Sequence, residues 1–266
     1  MVNIVRRRFC TRAVGHTGTL DPFATGLLIL VLGPATRLAR FVTAARKTYL
    51  ATARLGWRTA TDDADGQALG SEWRDPWPSR EAVETALAGL VGEYPQTPPS
   101  YSAKRIGGVR SHVLARRGGS VAPPPATVMI ERLDLLEWAP PLVTFRALVG
   151  PGAYVRAIAR DLGDRLETGA HLTVLRRERV GRFEVAEAYR LDGLIGTEAL
   201  LPPTDLVAEL RRVDLEPEAI VSVRHGRSVG QAAESGTAAL VGSNQLVAIA
   251  EARGGRWQPV VVLPEG

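Results

Sequence analysis

Apolar segments with a strand's period of two and a helix's period of 3.6 follow one another in this chain without strict alternation. That order constrains the fold more than any other feature. The stretch 47-KTYLATARLG-56 alternates as a strand. The stretch 79-SREAVETALAGLVG-92 places Ala82, Val83, Ala86, Leu87, Leu90 and Val91 on one helical face behind a Ser79 cap. Strands are predicted around 127-TVMIERLDLL-136 and 142-LVTFRALV-149, followed by a helix over 154-YVRAIARDLGDRL-166. The run 27-LLILVLG-33 fits a buried strand, and 34-PATRLARFV-42 a short helix with Pro34 in its first turn. A doubly wound sheet needs regular strand–helix–strand repetition, so the pattern points to an α+β class instead. The loop 201-LPPTD-205 reads as a domain boundary. Beyond it the short apolar runs 219-AIVSV-223, 246-LVAIA-250 and 258-QPVVVL-263 read as a small β domain, giving expected domains of 1–204 and 205–266.

Composition narrows the function classes. At 266 residues the chain can bury a full core, and no apolar run approaches the length that crosses a bilayer. The opening MVNIVRRRF lacks the apolar stretch of a secretory leader, and Cys10 is the single cysteine, so the expected location is the cytoplasm. Charge is uneven: residues 1–125 carry 17 Lys/Arg against 9 Asp/Glu, whereas residues 126–266 carry 16 against 19. A basic half fits a polyanionic partner such as nucleic acid. No Walker loop, dinucleotide fingerprint or GxSxG occurs, so no cofactor is expected. The loop 61-TDDADGQALGSE-72 sets Asp63, Asp65, Gly66 and Glu72 at calcium-loop positions, but Thr61 stands at position one; no metal is expected.

The segment 15-GHTGTLDPFATG-26 carries the chemistry. Asp21 is the one acid before Asp62, among ten basic residues. A glycosidase would need two facing carboxylates, and this motif supplies one. A lone carboxylate among arginines suits a nucleophile or an electrostatic stabiliser. A turn cap before Pro22 explains it as well, and spacing alone leaves both open.

Five motifs in order carry a family resemblance: GHTGTLDPFATG, then KTYLATARLG with TATDDADG, then PPSYSAKRIGGVRSHVLARRG, then GAYVRAIARDLG, then 171-HLTVLRR-177. Together they resemble the TruB-type tRNA pseudouridine synthases, over Val2 to about Tyr189. The resemblance implies a mixed, largely antiparallel sheet of pseudouridine synthase type flanked by helices, with a small C-terminal domain like the RNA-binding PUA class. It implies isomerisation of the uridine numbered 55 in the T loop of tRNA, with Asp21 as catalytic nucleophile. Tyr49 matches the tyrosine that packs on the flipped uracil and can handle a proton, and Arg156 matches the basic partner of the aspartate. Tyr154 and Leu175 match residues lining the uridine pocket, His16 the histidine that enters the T loop, and Asp63 a second acidic position. The insert of about 95–126 is expected to contact RNA, with Lys104, Arg105, Arg110 and Arg116 as backbone-binding candidates. The family's KPxGxTS segment is not among these residues: either the true start lies upstream, or the protein lacks a strand that should pack beneath the catalytic loop. Neither a membrane nor an obligate protein partner is implied. The alternatives are a guide-dependent pseudouridine synthase and a tRNA-binding or folding protein without turnover.

Overall fold

The computed structural model describes residues 1–70, 72–102, 124–198, 200–233 and 235–265, and the strand placement alone of 105–106 and 109–110. The chain forms two compact units. One comprises Met1–Thr19, Leu28–Ala44 and Tyr189–Gly266; the other comprises Leu20–Leu27 and Ala45–Ala188.

The second unit is built on a seven-stranded sheet. Its order is Phe183–Glu184, Ala170–Val180, Lys47–Leu55, Leu142–Val149, Ala126–Ala139, Gly92–Gln96, all antiparallel, with Thr25–Gly26 pairing parallel to Ala170–Val180. The two central strands obey the period of two. Tyr49, Ala51, Ala53 and Leu55 are buried on one, and Val143, Phe145, Ala147 and Val149 on the other. These side chains make one core with the helices Arg80–Ala88 and Val155–Arg165. Ser79 caps the first helix by accepting from the Ala82 amide, as its sequence predicts. That helix stops at Ala88, earlier than the apolar pattern predicts, so Leu90 is buried beyond its end while Ala82 and Val91 face solvent.

The Val155–Arg165 helix lies close against the sheet because Gly163 has no side chain. A Cβ there would stand 2.3 Å from the Ala170 amide nitrogen and 2.4 Å from the Gly169 carbonyl carbon. Backbone cannot yield as a side-chain tip can. Gly163→Ala is therefore expected to lower unfolding free energy by about 1–3 kcal/mol in urea denaturation, and an unchanged midpoint would contradict this packing.

The first unit holds a two-stranded pairing of Val14–His16 with Leu30–Leu32, and a four-stranded sheet ordered Arg211–Asp214, Thr237–Gly242, Gln245–Arg253, Arg256–Val262. Thr237–Gly242 buries consecutive residues because both its faces are covered. Ala238 and Leu240 pack with Val223 and Trp257, and Ala239 and Val241 with Leu38 and Val207. The 219–223 run is helical, within Pro217–Arg224, rather than a strand: Pro217 and Glu218 in the first turn start a helix. The 27–33 run likewise yields only the short strand Leu30–Leu32. The class expected from the sequence, α+β with a largely antiparallel sheet and helices, is the one observed. Among the described residues no helix is long and apolar enough to cross a membrane.

Candidate active site

Asp21 sits in a turn closed by its own backbone, the Ala24 amide donating to the Asp21 carbonyl at 3.0 Å. Pro22 supplies the fixed φ such a turn uses, and Phe23 and Ala24 pack on the core of the second unit. The turn thus uses the backbone of Asp21 and leaves its carboxylate available.

Arg156 takes that carboxylate. Its Nε and one terminal nitrogen donate to the two Asp21 oxygens, both at 3.0 Å, in a parallel fork. The other terminal nitrogen donates to Asp63 at 3.2 Å and to the Thr61 carbonyl at 2.9 Å, and the Tyr101 carbonyl takes the remaining donor at 3.0 Å. A guanidinium has five N–H groups, and all five are used. That completeness is what makes a charged side chain only 5% exposed tolerable. Asp63 is nearly as buried, and Asp21 retains 31% exposure, so one carboxylate of the pair faces outward.

The arginine's own position is pinned. Tyr154 precedes the Val155–Arg165 helix, and the buried Gln96 amide holds it from both sides, accepting from its N–H at 2.8 Å and donating to its carbonyl at 3.1 Å. Arg156 follows at the second helical position, where the positive end of the helix dipole favours nearby anions, here Asp21 and Asp63. The loop bearing Asp63 is fixed too. Asp62 adopts φ +60, and its carbonyl accepts from the Leu172 amide at 3.0 Å. Adjacent aspartates thereby point to different arginines, Asp63 to Arg156 and Asp62 to Arg160 at 2.8 Å. Arg160 also bonds Asp161 and the Thr97 carbonyl, and Asp161 accepts from the Tyr94 hydroxyl at 2.6 Å. Burial raises the Asp62 carboxyl above its usual range despite Arg160 and Arg156, and burial with the Asp161 acceptor raises the Tyr94 phenol.

Tyr49 and Leu175 stand on neighbouring strands and belong to the same core as Val155 and Phe23. Burial raises the Tyr49 phenol, opposed by Arg177. Lys47, two residues earlier, is half-buried and donates to the Ala45 carbonyl at 2.8 Å. Burial, with Arg177 nearby, lowers its ammonium from 10.5 to about 8. Between those values the unfolded chain binds more protons than the folded one, so this group's contribution to stability rises with pH across that window. The stability difference between wild type and Lys47→Met should therefore grow in favour of wild type from pH 8 to 10 in denaturant titrations. A pH-independent difference would contradict this.

The structure thus brings Asp21, Asp63 and Arg156 together. Tyr49, Leu175 and Tyr154 flank them in the same unit. His16 belongs to the other unit, exposed at the end of Val14–His16 opposite Leu30. Lys104 and Arg116 lie outside the described residues. Arg105 and Arg110 pair in two-residue strands whose side chains are not described. Sequence reasoning missed Gln96, the Arg160 network and Arg177. For Arg177 the sequence carried no signal, since it stands in the charged run 176-RRER-179.

Residues 6–155 match the family model described as TruB family pseudouridylate synthase (N terminal domain). The chain is 40% identical over 274 residues to "tRNA pseudouridine synthase B" of Mycobacterium bovis (strain BCG / Pasteur 1173P2), covering 99% of this chain and 90% of that protein. It is 41% identical over 270 residues to the protein of the same name from Mycolicibacterium paratuberculosis (strain ATCC BAA-968 / K-10), covering 99% and 92%. Among solved structures, "Structure of H/ACA RNP bound to a substrate RNA containing 2'-deoxyuridine" aligns with a TM-score of 0.75 at 22% identity, over 99% of this chain and 80% of that one. A second, "Crystal structure of the archaeal box H/ACA sRNP Nop10-Cbf5 complex", aligns with a TM-score of 0.73 at 20% identity, over 98% and 80%. At those identities the structural likeness concerns the fold. The family match and the near-full-length relatives establish that the chain belongs to the TruB family of pseudouridylate synthases.

Proposed function

We propose that this protein converts the uridine at position 55 in the T loop of tRNA to pseudouridine, with Asp21 as the nucleophile. The observation that carries this reading is the Asp21 carboxylate, part-exposed and gripped through both oxygens by a buried Arg156. In a TruB-family chain that is the group in place to meet a nucleoside. The reaction breaks the N1–C1′ bond and forms a C5–C1′ bond; the base loses its C5 proton and gains one at N1. Atoms balance within the substrate, so no oxidant or added group is consumed. Whether Asp21 engages the ribose or the base, or supports a glycal route, each path needs its carboxylate ionised and held within reach of the extruded nucleoside. Tyr49, Tyr154 and Leu175 supply the faces that replace lost base stacking.

His16 and the basic candidates Lys104, Arg105, Arg110 and Arg116 are assigned to RNA contact, within a catalytic region of residues 1–204. Residues 205–266 form a PUA-like module, and the working location is the cytoplasm. A guide-dependent activity has less support: the relatives at 40–41% identity are named tRNA pseudouridine synthase B, and the ribonucleoprotein neighbours stand at 20–22%. The test is turnover on a tRNA transcript with no guide RNA. Formation of pseudouridine supports this reading, and tRNA binding without product overturns it. Affinity for the same transcript should fall with salt at a log–log slope steeper than about −3, because several arginine–phosphate contacts release counterions. A flat dependence contradicts the basic-face assignment.

A further inference from the structure

Arg177 is among the largest side chains shut inside the fold, at 2% exposure, and neither the turn nor the carboxylate grip requires it. Three adjacent strands meet at this residue. Its cross-strand partner is Tyr49 on one side and Gly26 on the other. Its backbone carbonyl accepts from the Leu27 amide at 2.8 Å, and its Nε donates to the Leu27 carbonyl at 2.7 Å. Both ends of one arginine therefore hold the exit of the Asp21 loop. Gly26 permits the approach: at φ +99, a Cβ there would fall 2.3 Å from the Arg177 carbonyl oxygen. The strand register slips between Arg177 and Arg179, a bulge of the kind that re-aims a side chain. Tyr49 faces Arg177 directly across the strands, and the guanidinium's charge bears on the Tyr49 phenol.

We propose that Arg177 is a positioning residue for the isomerisation, holding the exit of the Asp21 loop and setting its positive charge across the strands from Tyr49. This rests on the assignment of Asp21 and Tyr49 to the reacting site. Direct cross-strand partners leave the sheet on one face, which sets the guanidinium beside Tyr49. The cation also opposes the upward push that burial gives the phenol. Loss of the cation therefore moves any Tyr49-dependent limb of the pH–rate profile to higher pH, which a merely structural arginine would not do.

The test uses Arg177→Met and Arg177→Lys beside Tyr49→Phe, with single-turnover rates, KM for tRNA and profiles from about pH 6 to 11.5. Arg177→Met is expected to lower kcat by about 10²-fold, with KM within about threefold, and to shift the alkaline limb upward. Arg177→Lys keeps the charge without the fork and is expected to recover about tenfold of that loss. In the Tyr49→Phe background, Arg177→Met should cost less than about tenfold more, since the cation then has no phenol to act on. Wild-type kcat and profile in either Arg177 variant, or fully additive losses, would overturn the proposal. Should Arg177→Met fail to fold by circular dichroism, the kcat and profile of Arg177→Lys decide in the same way. Full turnover in Tyr49→Phe would instead overturn the site assignment on which the inference rests.

Discussion

Asp21→Asn is expected to lower pseudouridine formation by roughly 10⁴-fold or more, the scale on which loss of a nucleophile registers, while tRNA affinity stays within about threefold. The two effects separate because, in the proposed assignment, the arginines on RNA phosphates are different groups from the carboxylate on the nucleoside. The substitution is isosteric but not neutral for the fold. Arg156 presents two donors to two acceptors at 3.0 Å, and an asparagine amide offers one acceptor and sets an N–H against the other donor. A stability loss of about 1–3 kcal/mol is therefore expected alongside the lost turnover, too small to unfold the chain. Single-turnover assay and urea denaturation on the same preparation distinguish these effects. Retained turnover would remove Asp21 from the chemistry.

Arg156 should respond differently, losing stability and rate together. Arg156→Met leaves Asp63, whose side chain is 9% exposed, without the cation that compensates it, and strands the Thr61 and Tyr101 carbonyls. Breaking one side of a buried pair costs about 3–5 kcal/mol, a large part of what a domain of this size has in hand. The Asp21 carboxylate also loses its fork, and a displacement of about 1 Å is enough to cost about 10²-fold in rate. Arg156→Lys should fold better and turn over slowly, because three donors on a point charge cannot reproduce five in a plane. Asp63→Asn combined with Arg156→Met should regain part of the stability but none of the turnover, since it removes the orphaned charge without restoring the grip on Asp21. Equal stability of the single and double variants would contradict the buried-pair account.

Much of this architecture was legible in the sequence, and the failures have physical causes. The Lys47–Leu55 and Leu142–Val149 strands were readable because central antiparallel strands keep a clean period of two. Ala170–Val180 was visible only as a motif. It slips register twice, between Leu172 and Val174 and between Arg177 and Arg179, so its buried positions do not alternate and Arg177 reads as a solvent-facing charge. The acidic loop read as a failed calcium site, because the sequence does not show that Asp62 and Asp63 turn to two different arginines of one helix. The apolar run at 219–223 was long enough for a strand, but Pro217 decided for a helix. For Asp21, the turn leaves the side chain unspent: the backbone makes the turn, and the carboxylate is held by Arg156.

The most direct measurement follows tritium release from tRNA transcripts carrying 5-³H-uridine, with no guide RNA and no added cofactor. Wild type and Asp21→Asn are compared on a transcript with uridine at position 55 and on one with cytidine there. Release at one equivalent per tRNA is expected only for wild type on the uridine-55 transcript, with both proteins binding both RNAs. Release by Asp21→Asn, or by wild type from the cytidine-55 transcript at the same rate, would contradict it.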